Sequence, residues 1–244
     1  MIYALARFAQ SNGILAFMFP DNLERASIIR CLLDARGSVR GRLLDAGCGD
    51  KPYAGIFRES VSAHIGIDVT RSAVQRPGLE GPDVVGDVGR LPFAGESFDS
   101  VLCTQVLEHL PNPGQVMNEF HRVLRPGGTL IVTTPQTWGL HMEPYDYYRY
   151  TRYGLAHLAR SAGFEVVRLQ SRGGFWVAVA QMLSVRIYSP FAGLPRVVRL
   201  PILPVCALLQ ACGRVMAAVD RSDSLTLGHG MIARRDEEVK PTCA

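Results

Sequence analysis

The sequence is poor in lysine: arginine supplies all but Lys51 and Lys240 of its 26 basic residues. A bias spread along the whole chain reads as a compositional habit rather than a phosphate-binding device. Paired cysteines are missing too. Cys31, Cys48, Cys103, Cys206, Cys212 and Cys243 form no C-x-x-C pair and no zinc spacing. That argues against a metal-ligand framework and reads as free buried thiols in a reducing compartment. No low-complexity tract or internal repeat occurs. The net charge of +4 is too small to point to nucleic acid. Met1 to Phe19 is apolar, but no basic region precedes the apolar stretch and no clear small-residue cleavage site follows, so a secretory signal is not expected. The most one-sided absence is acidic: from Val166 to Val219 there is no Asp or Glu. The same segment holds Arg168, Arg172, Arg186, Arg196, Arg199 and Arg214, so it carries +6 and leaves −2 for the rest of the chain.

What is present is the material of one large ordered domain. Of the 244 residues, 48% are apolar and 20% charged, enough for a real core. Short apolar runs alternate with helical stretches from about Arg42 to Ser171. The runs are Leu43 to Ala46, His64 to Asp68, Asp83 to Asp87, Phe98 to Cys103 and Thr129 to Thr134, with a sixth at Phe164 to Leu169 and a seventh at Leu225 to Arg234. This pattern predicts a Rossmann-like α/β fold. Its sheet is seven-stranded and mostly parallel, with helices on both faces and an apolar helical insertion before the last strand. Asp21 to Arg36 reads as an amphipathic helix. Val116, Phe120, Val123 and Leu124 mark another, stopped by Pro126-Gly127-Gly128. Thr151 reads as an N-cap and Gly163 as a C-terminal cap.

The first strand runs into Asp45-Ala46-Gly47-Cys48-Gly49-Asp50-Lys51-Pro52-Tyr53. Glycines at 47 and 49 allow a tight turn and a close ligand approach. Asp68 ends the second strand, where a carboxylate can accept both hydroxyls of a ribose. Those two features alone do not separate a dinucleotide from S-adenosyl-methionine (SAM). Three others do. Pro52 stands where a third Rossmann glycine would pack under a pyrophosphate. Asp87 follows the third strand, where it can accept from an adenine amino group. A helix, a Gly-Gly turn and a fifth strand follow at His121 to Leu130.

Taken together, D-x-G-C-G, G-I-D, G-D-x-x-x-L-P-F-x-x-x-S-F-D, V-L-E-H-L-P-x-P and R-V-L-R-P-G-G-T-L resemble the class I methyltransferases of the type-11 methyltransferase domain family. The resemblance covers roughly Leu43 to Leu169 and the last strand. It implies SAM as cofactor. Asp45, Gly47 and Gly49 would line the methionine end, and Asp68, with Val69 after it, would hold the ribose. Asp87 and the backbone at Val88 would hold the adenine, and Thr104 would face the sulfonium. Lys51 departs from the commoner G-x-G-x-G by occupying the last glycine's place.

The acceptor side is read from Met142 to Thr151, which follows the fifth strand and resembles the P-H-D-Y-x-R-x-T stretch of methyltransferases of glycan and cell-envelope genes. Tyr145 replaces the usual His. Tyr145, Asp146, Tyr148 and Arg149 are the candidate substrate-binding residues. The other reading of this loop is structural, with Asp146 and Arg149 pinning backbone. His109 is the candidate general base for a hydroxyl acceptor. Glu108 reads as a structural or cofactor-shell residue. Related quinone methyltransferases suggest a metal in an acid-rich version of this segment, but Gln105 stands where a further acid would help, so no metal is expected. His64, His121, His157 and His229 read as packing or surface residues.

The sequence thus divides into an N-terminal helical segment (1–40), a methyltransferase core (41–171), the basic apolar insertion (172–223), a last strand (224–234) and a tail (235–244). No uncharged stretch of the insertion reaches the about 20 residues of a membrane span, and Pro190, Pro195, Pro201 and Pro204 should break it into short helices. Three readings fit it: a lid or homodimer surface, a contact with an anionic membrane, or a site for an anionic amphipathic acceptor. The expected activity is methyl transfer to an oxygen of a glycan, lipid-linked intermediate or secondary metabolite. The rivals are a quinone-ring methyltransferase, a non-catalytic SAM-fold scaffold and, remotely, an NAD-binding module. The expected location is the cytoplasm, peripheral at the inner face of the membrane if the insertion meets lipid.

Overall fold

A computed structural model describes residues 18–69 and 81–236. The apolar start of the chain before Met18, and Cys243, lie outside the described residues. The described residues divide into two compact units, 31–69 and 81–170 with 228–236, and 18–30 with 171–227.

The first unit is built on a seven-stranded sheet. Its strands are β1 (Gly41–Ala46), β2 (Val61–Asp68), β3 (Val84–Val85), β4 (Phe98–Thr104), β5 (Leu124–Pro135), β6 (Phe164–Arg172) and β7 (Gly228–Arg235). Their order is β3-β2-β1-β4-β5-β7-β6. The pairs β1–β2, β1–β4, β2–β3 and β4–β5 are parallel, and β7 runs antiparallel to β5. Leu43, Leu44, Asp45 and Ala46 are all buried. Because successive side chains alternate faces, both faces of β1 are covered, which is why these strands read as continuous apolar runs. The core includes Leu44, Val101, Phe120, Leu130 and Met231. The chain steps outward from β1 to β2 and β3, then returns to place β4 on β1's other side. The carboxyl ends of β1 and β4 therefore flank the point where strand order reverses, the usual ligand position in such sheets.

Among the described residues, the helices of the chain's first two thirds are α1 (Asn22–Ala35), α2 (Ala54–Phe57), α3 (Pro113–Val123) and α4 (Arg152–Ser161). Thr151 caps α4 by accepting the Gly154 N–H, and Gly163 follows it at φ +83°. Pro126-Gly127-Gly128 does not stop α3: the helix ends at Val123 and the tripeptide lies inside β5. There the β4–β5 register shifts between Phe98 and Ser100. A Cβ at Gly128 would come within 2.7 Å of the Arg125 carbonyl, so only glycine fits the irregularity. The third strand is shorter than the sequence pattern, holding only Val84 and Val85.

The second unit contains α5 (Phe175–Tyr188), α6 (Arg196–Arg199) and α7 (Leu203–Val219), the last two joined by a 3-10 turn at Leu200–Ile202. Gly213 lets α7 approach α5, since a Cβ there would lie 2.4 Å from Ala180 Cβ. The prolines interrupt less than their number suggested. Pro201 sits in the 3-10 turn and Pro204 in the first turn of α7, where a missing N–H costs little. Val197–Val219 is accordingly one helical run, long and apolar enough by length and composition to cross a membrane, with only 22% of its most apolar window buried. The count of uncharged residues, interrupted at Arg199 and Arg214, had set no such run.

Candidate active site

The turn after β1 takes its shape from three left-handed residues: Gly47 at φ +71°, Gly49 at +51° and Lys51 at +48°. The N–H groups of Gly47 and Cys48 both donate to the Ile67 carbonyl, at 2.9 and 3.1 Å, and so tie the turn to β2. A Cβ on Gly47 would strike the Val106 side chain at 2.4 Å. A Cβ on Gly49 would meet nothing within 4 Å, so this backbone borders open space. Lys51 takes the last glycine's place by running its side chain beneath Gly66, where its Nζ donates to Asp83 Oδ2 at 2.7 Å.

Asp68 sits at the end of β2. Its Oδ2 accepts the Gly49 N–H and its Oδ1 the Val69 N–H, both at 2.8 Å. These bonds fix the carboxylate while leaving lone pairs for two ribose hydroxyls. Val69 is exposed beside it. Asp87 is exposed and held by one oxygen, which accepts the Gly89 N–H at 2.8 Å, with Val88 buried behind it. Thr104 ends β4, and its Oγ1 is buried without a hydrogen-bond partner among the described residues. A buried hydroxyl of that kind calls for a bound group. Asp45 is buried, with Oδ2 3.1 Å from His64 Nε2. His64, read from sequence as packing, is therefore the partner of a candidate site residue. The open face at Gly49, the anchored carboxylates and the orphan hydroxyl fit the methionine, ribose and adenine parts of SAM.

The loop after β5 is clasped by its own charges. All five N–H donors of Arg149 are used: two on Asp146 and one each on the Trp138, Gly139 and Tyr148 carbonyls. Asp146 also accepts the His141 N–H at 2.9 Å. The hydrogen bonds from Arg149 hold the Asp146 carboxyl far below the usual range. The structural reading of this pair is the one its bonds serve. Tyr145 and Tyr148 are the outward groups, both exposed, although the Tyr148 hydroxyl donates to the Pro111 carbonyl at 2.9 Å. The N–H groups of Tyr147 and Tyr148 donate to the Glu108 carbonyl, docking the loop on the 3-10 turn Leu107–His109 that follows β4.

On that turn Glu108 is fully buried and His109 half-buried. His109 Nδ1 lies 2.7 Å from the Tyr145 carbonyl. A carbonyl only accepts, so Nδ1 carries the hydrogen and Nε2 keeps its lone pair. Burial pushes the imidazole below its ordinary pKa, so it stays neutral near pH 7. Gln105, at φ +55°, is turned to Thr133, whose hydroxyl accepts from its side chain. The histidine brought beside His109 is His141, with ring centroids 4.6 Å apart. Sequence reading did not single out His141, which lies 32 positions away and belongs to no motif.

A family model described as a methyltransferase domain matches residues 44–132, the span of the Gly turn, both anchored carboxylates, Thr104 and the Glu108 turn. Residues 44–132 are a class I SAM-dependent methyltransferase domain. The methyltransferase domain has relatives in actinobacteria. The chain is 32% identical over 133 residues to the Mycolicibacterium smegmatis protein named "Probable S-adenosylmethionine-dependent methyltransferase", covering 51% of this chain and 52% of that one. It is 33% identical over 154 residues to methyltransferase GfsG of Streptomyces halstedii, covering 51% and 55%. The chain thus spans about half the length of the curated relatives it matches. Among solved structures, the Burkholderia thailandensis 1,6-didemethyltoxoflavin-N1-methyltransferase, seen with bound 1,6-didemethyltoxoflavin and S-adenosylhomocysteine, shares the fold of the methyltransferase domain. Its TM-score is 0.53 at 21% identity, over 88% of this chain and 78% of that one.

Proposed function

We propose that the protein transfers a methyl group from SAM to an oxygen of a small-molecule acceptor, drawn from glycans, lipid-linked intermediates or secondary metabolites. The observation that carries the cofactor half is the anchored Asp68 carboxylate beside the open backbone of Gly49. SAM supplies a methyl group already activated by its sulfonium. The residues of this chain therefore have to hold, orient and exclude water, and orientation alone can lower the barrier by about 7–11 kcal/mol. Asp68 and Asp87 hold the nucleoside, and Tyr145 and Tyr148 offer aromatic faces to the acceptor. His109, neutral with a free Nε2, can take a proton from a hydroxyl or serve as a ligand. The intact carboxylates weigh against a non-catalytic scaffold.

The test is calorimetry with SAM, S-adenosylhomocysteine and NAD. Micromolar binding of the first two and none of NAD is expected. Binding of NAD alone would overturn the reading. Asp68→Ala removes a charged hydrogen-bond acceptor, a loss of roughly 1.5–3 kcal/mol. SAM affinity should fall tenfold or more, and a change within twofold would remove Asp68 from the ribose site.

A second observation supports a membrane-proximal acceptor. The exposed side of Val197–Val219 presents Val197, Leu200, Val205, Leu208, Val215 and Val219, while polar Gln181, Ser184 and Gln210 are turned inward. Outward apolar residues with arginine as the nearby charge suit an anionic lipid surface, on which one face of the helix lies. The location that follows is peripheral, at the inner face of the membrane, and vesicle flotation tests it.

A further inference from the structure

One ligand atom from each of Glu108, His109 and His141 lies within 4.8 Å of the other two. We propose that this trio binds one divalent transition-metal ion of the first row. The role we give that ion, receiving the acceptor's oxygen at an open coordination position, rests on the methyl-transfer reading above. The metal site itself rests on geometry alone.

The geometry has three parts. First, both imidazoles are oriented from behind. His109 Nδ1 donates to the Tyr145 carbonyl at 2.7 Å. His141 Nδ1 lies 3.2 Å from both the Gly139 carbonyl and Asp146 Oδ2. Acceptors behind each ring place the hydrogen on Nδ1 and leave Nε2 as the ligating lone pair, the pattern by which outer groups aim metal-bound histidines. Second, His109 Nε2 and Glu108 Oε1 are 3.9 Å apart, too long for a hydrogen bond. It exceeds the roughly 3.4 Å between two ligands of a tetrahedral ion by about half an ångström. Some point lies within about 2.8 Å of three atoms that are no more than 4.8 Å apart. Closing to metal bonds of about 2.0–2.2 Å asks each side chain to move by less than an ångström. Third, the frame is fixed. The Glu108 carbonyl takes two N–H bonds from the 136–151 loop, and the Asp146–Arg149 clasp holds the His141 backbone.

Two imidazoles and one carboxylate suit Zn²⁺, Mn²⁺, Fe²⁺ or Co²⁺ better than Mg²⁺ or Ca²⁺, which prefer all-oxygen shells. Three protein ligands leave coordination positions open, as at catalytic rather than structural sites. The turn bearing Glu108 begins three residues after Thr104, so the ion would lie on the acceptor side of the cofactor residues. The sequence expectation of no metal looked for a second acid at Gln105, but the third ligand is a histidine from another loop.

The test is titration of chelator-treated protein with Zn²⁺, Co²⁺ and Mg²⁺, followed by calorimetry and by visible Co²⁺ absorption. Saturable binding of one Zn²⁺ or Co²⁺ per chain is expected, with Mg²⁺ at least tenfold weaker. His141→Ala, chosen because its side chain is only part-buried, should weaken Zn²⁺ and Co²⁺ tenfold or more. It should leave the melting temperature and SAM affinity near wild type. His109→Ala should do the same to the metal. No saturable binding, equal binding of Mg²⁺, or undiminished binding in a folded His141→Ala would overturn the proposal. SAM affinity, read on the same samples, separates the two readings. Metal without SAM defeats the methyltransferase reading, and SAM without metal defeats this one.

Discussion

At position 51 the backbone sits at φ +48°, where glycine is the low-cost residue and any other side chain costs roughly 1–2 kcal/mol. The compensation is a buried ammonium on Asp83 Oδ2, an oxygen that also accepts the Gly66 N–H at 2.7 Å. Burial alone would raise the Asp83 carboxyl; Lys51 and the Gly66 N–H outweigh it and hold it below its ordinary value. A depressed carboxyl stabilises the fold fully above its unfolded pKa of about 3.9, and that contribution is lost as pH falls through the folded value. Asp83→Ala leaves the Lys51 ammonium buried without this partner. Breaking a buried pair costs about 3–5 kcal/mol. The Asp83 side chain is 50% exposed, so solvent screening lowers the expected loss to roughly 2 kcal/mol. Urea denaturation should show that loss at pH 7 and a flatter stability profile below pH 4 than wild type. An unchanged midpoint would mean the pair does not hold the turn. Asp68 and Asp87 were legible in the sequence because one ends a strand and the other lies two residues beyond one. The Lys51–Asp83 and His109–His141 pairs were not, since each joins residues 32 positions apart that meet only once the strands pair.

Elements were legible where residue type decides backbone geometry. Thr151, Gly163 and the apolar runs of β1, β2, β4 and β6 sit where the sequence reading put them, because capping hydroxyls, left-handed glycines and two-sided burial leave local marks, while β7 begins at Gly228 rather than Leu225. The Leu124 end of β5 and the start of α7 were not, because proline and glycine act as breakers or as fitted parts depending on the neighbouring strand or the helix turn. The 136–151 loop shows the same limit. An arginine and an aspartate at this spacing look alike whether they face a ligand or the backbone, and only the direction of Arg149's five donors distinguishes the cases. The loop's order therefore depends on a planar fork, which lysine cannot reproduce. Arg149→Lys keeps the charge but loses most of the carbonyl bonds. We expect a destabilisation of about 1–3 kcal/mol and a fall in acceptor turnover, with SAM affinity within threefold. Turnover lost at an unchanged melting temperature would instead assign Arg149 to the acceptor.

At the scale of the whole chain, charge and apolarity are sorted between the two units. The unit containing 171–227 buries polar groups and exposes apolar ones. Gln210 Nε2 donates to the Phe19 carbonyl at 2.8 Å, and Gln181 bonds the Pro20 carbonyl and the Glu24 N–H. Arg172 pairs with Glu24 at 2.9 Å inside the same unit. Leu183, Ile187, Leu208 and Val215 face outward, and Arg186 is exposed among them. Water disfavours such an arrangement, because apolar area left exposed forgoes about 25 cal/mol per Å². Exposed apolar side chains gathered along α5 and α7 point to an interaction surface. An anionic bilayer fits both halves of the surface. On such a surface apolar side chains would enter the headgroup boundary, and each arginine near the headgroups would contribute about 1 kcal/mol. The protein is expected to float with vesicles containing anionic lipid, less so in high salt, since the Debye length falls from about 10 Å at 0.1 M to 3 Å at 1 M. Neutral vesicles should not carry it. Combining Arg186→Glu with Leu208→Glu and Val215→Glu should abolish flotation while SAM affinity stays intact, because none of the three lies in the cofactor site. If the same face instead joins two copies of the chain, wild type will stay at the bottom of the gradient. It will then sediment as a dimer in detergent-free buffer, and the triple variant as a monomer. A wild type that does not float with anionic vesicles sinks the membrane reading.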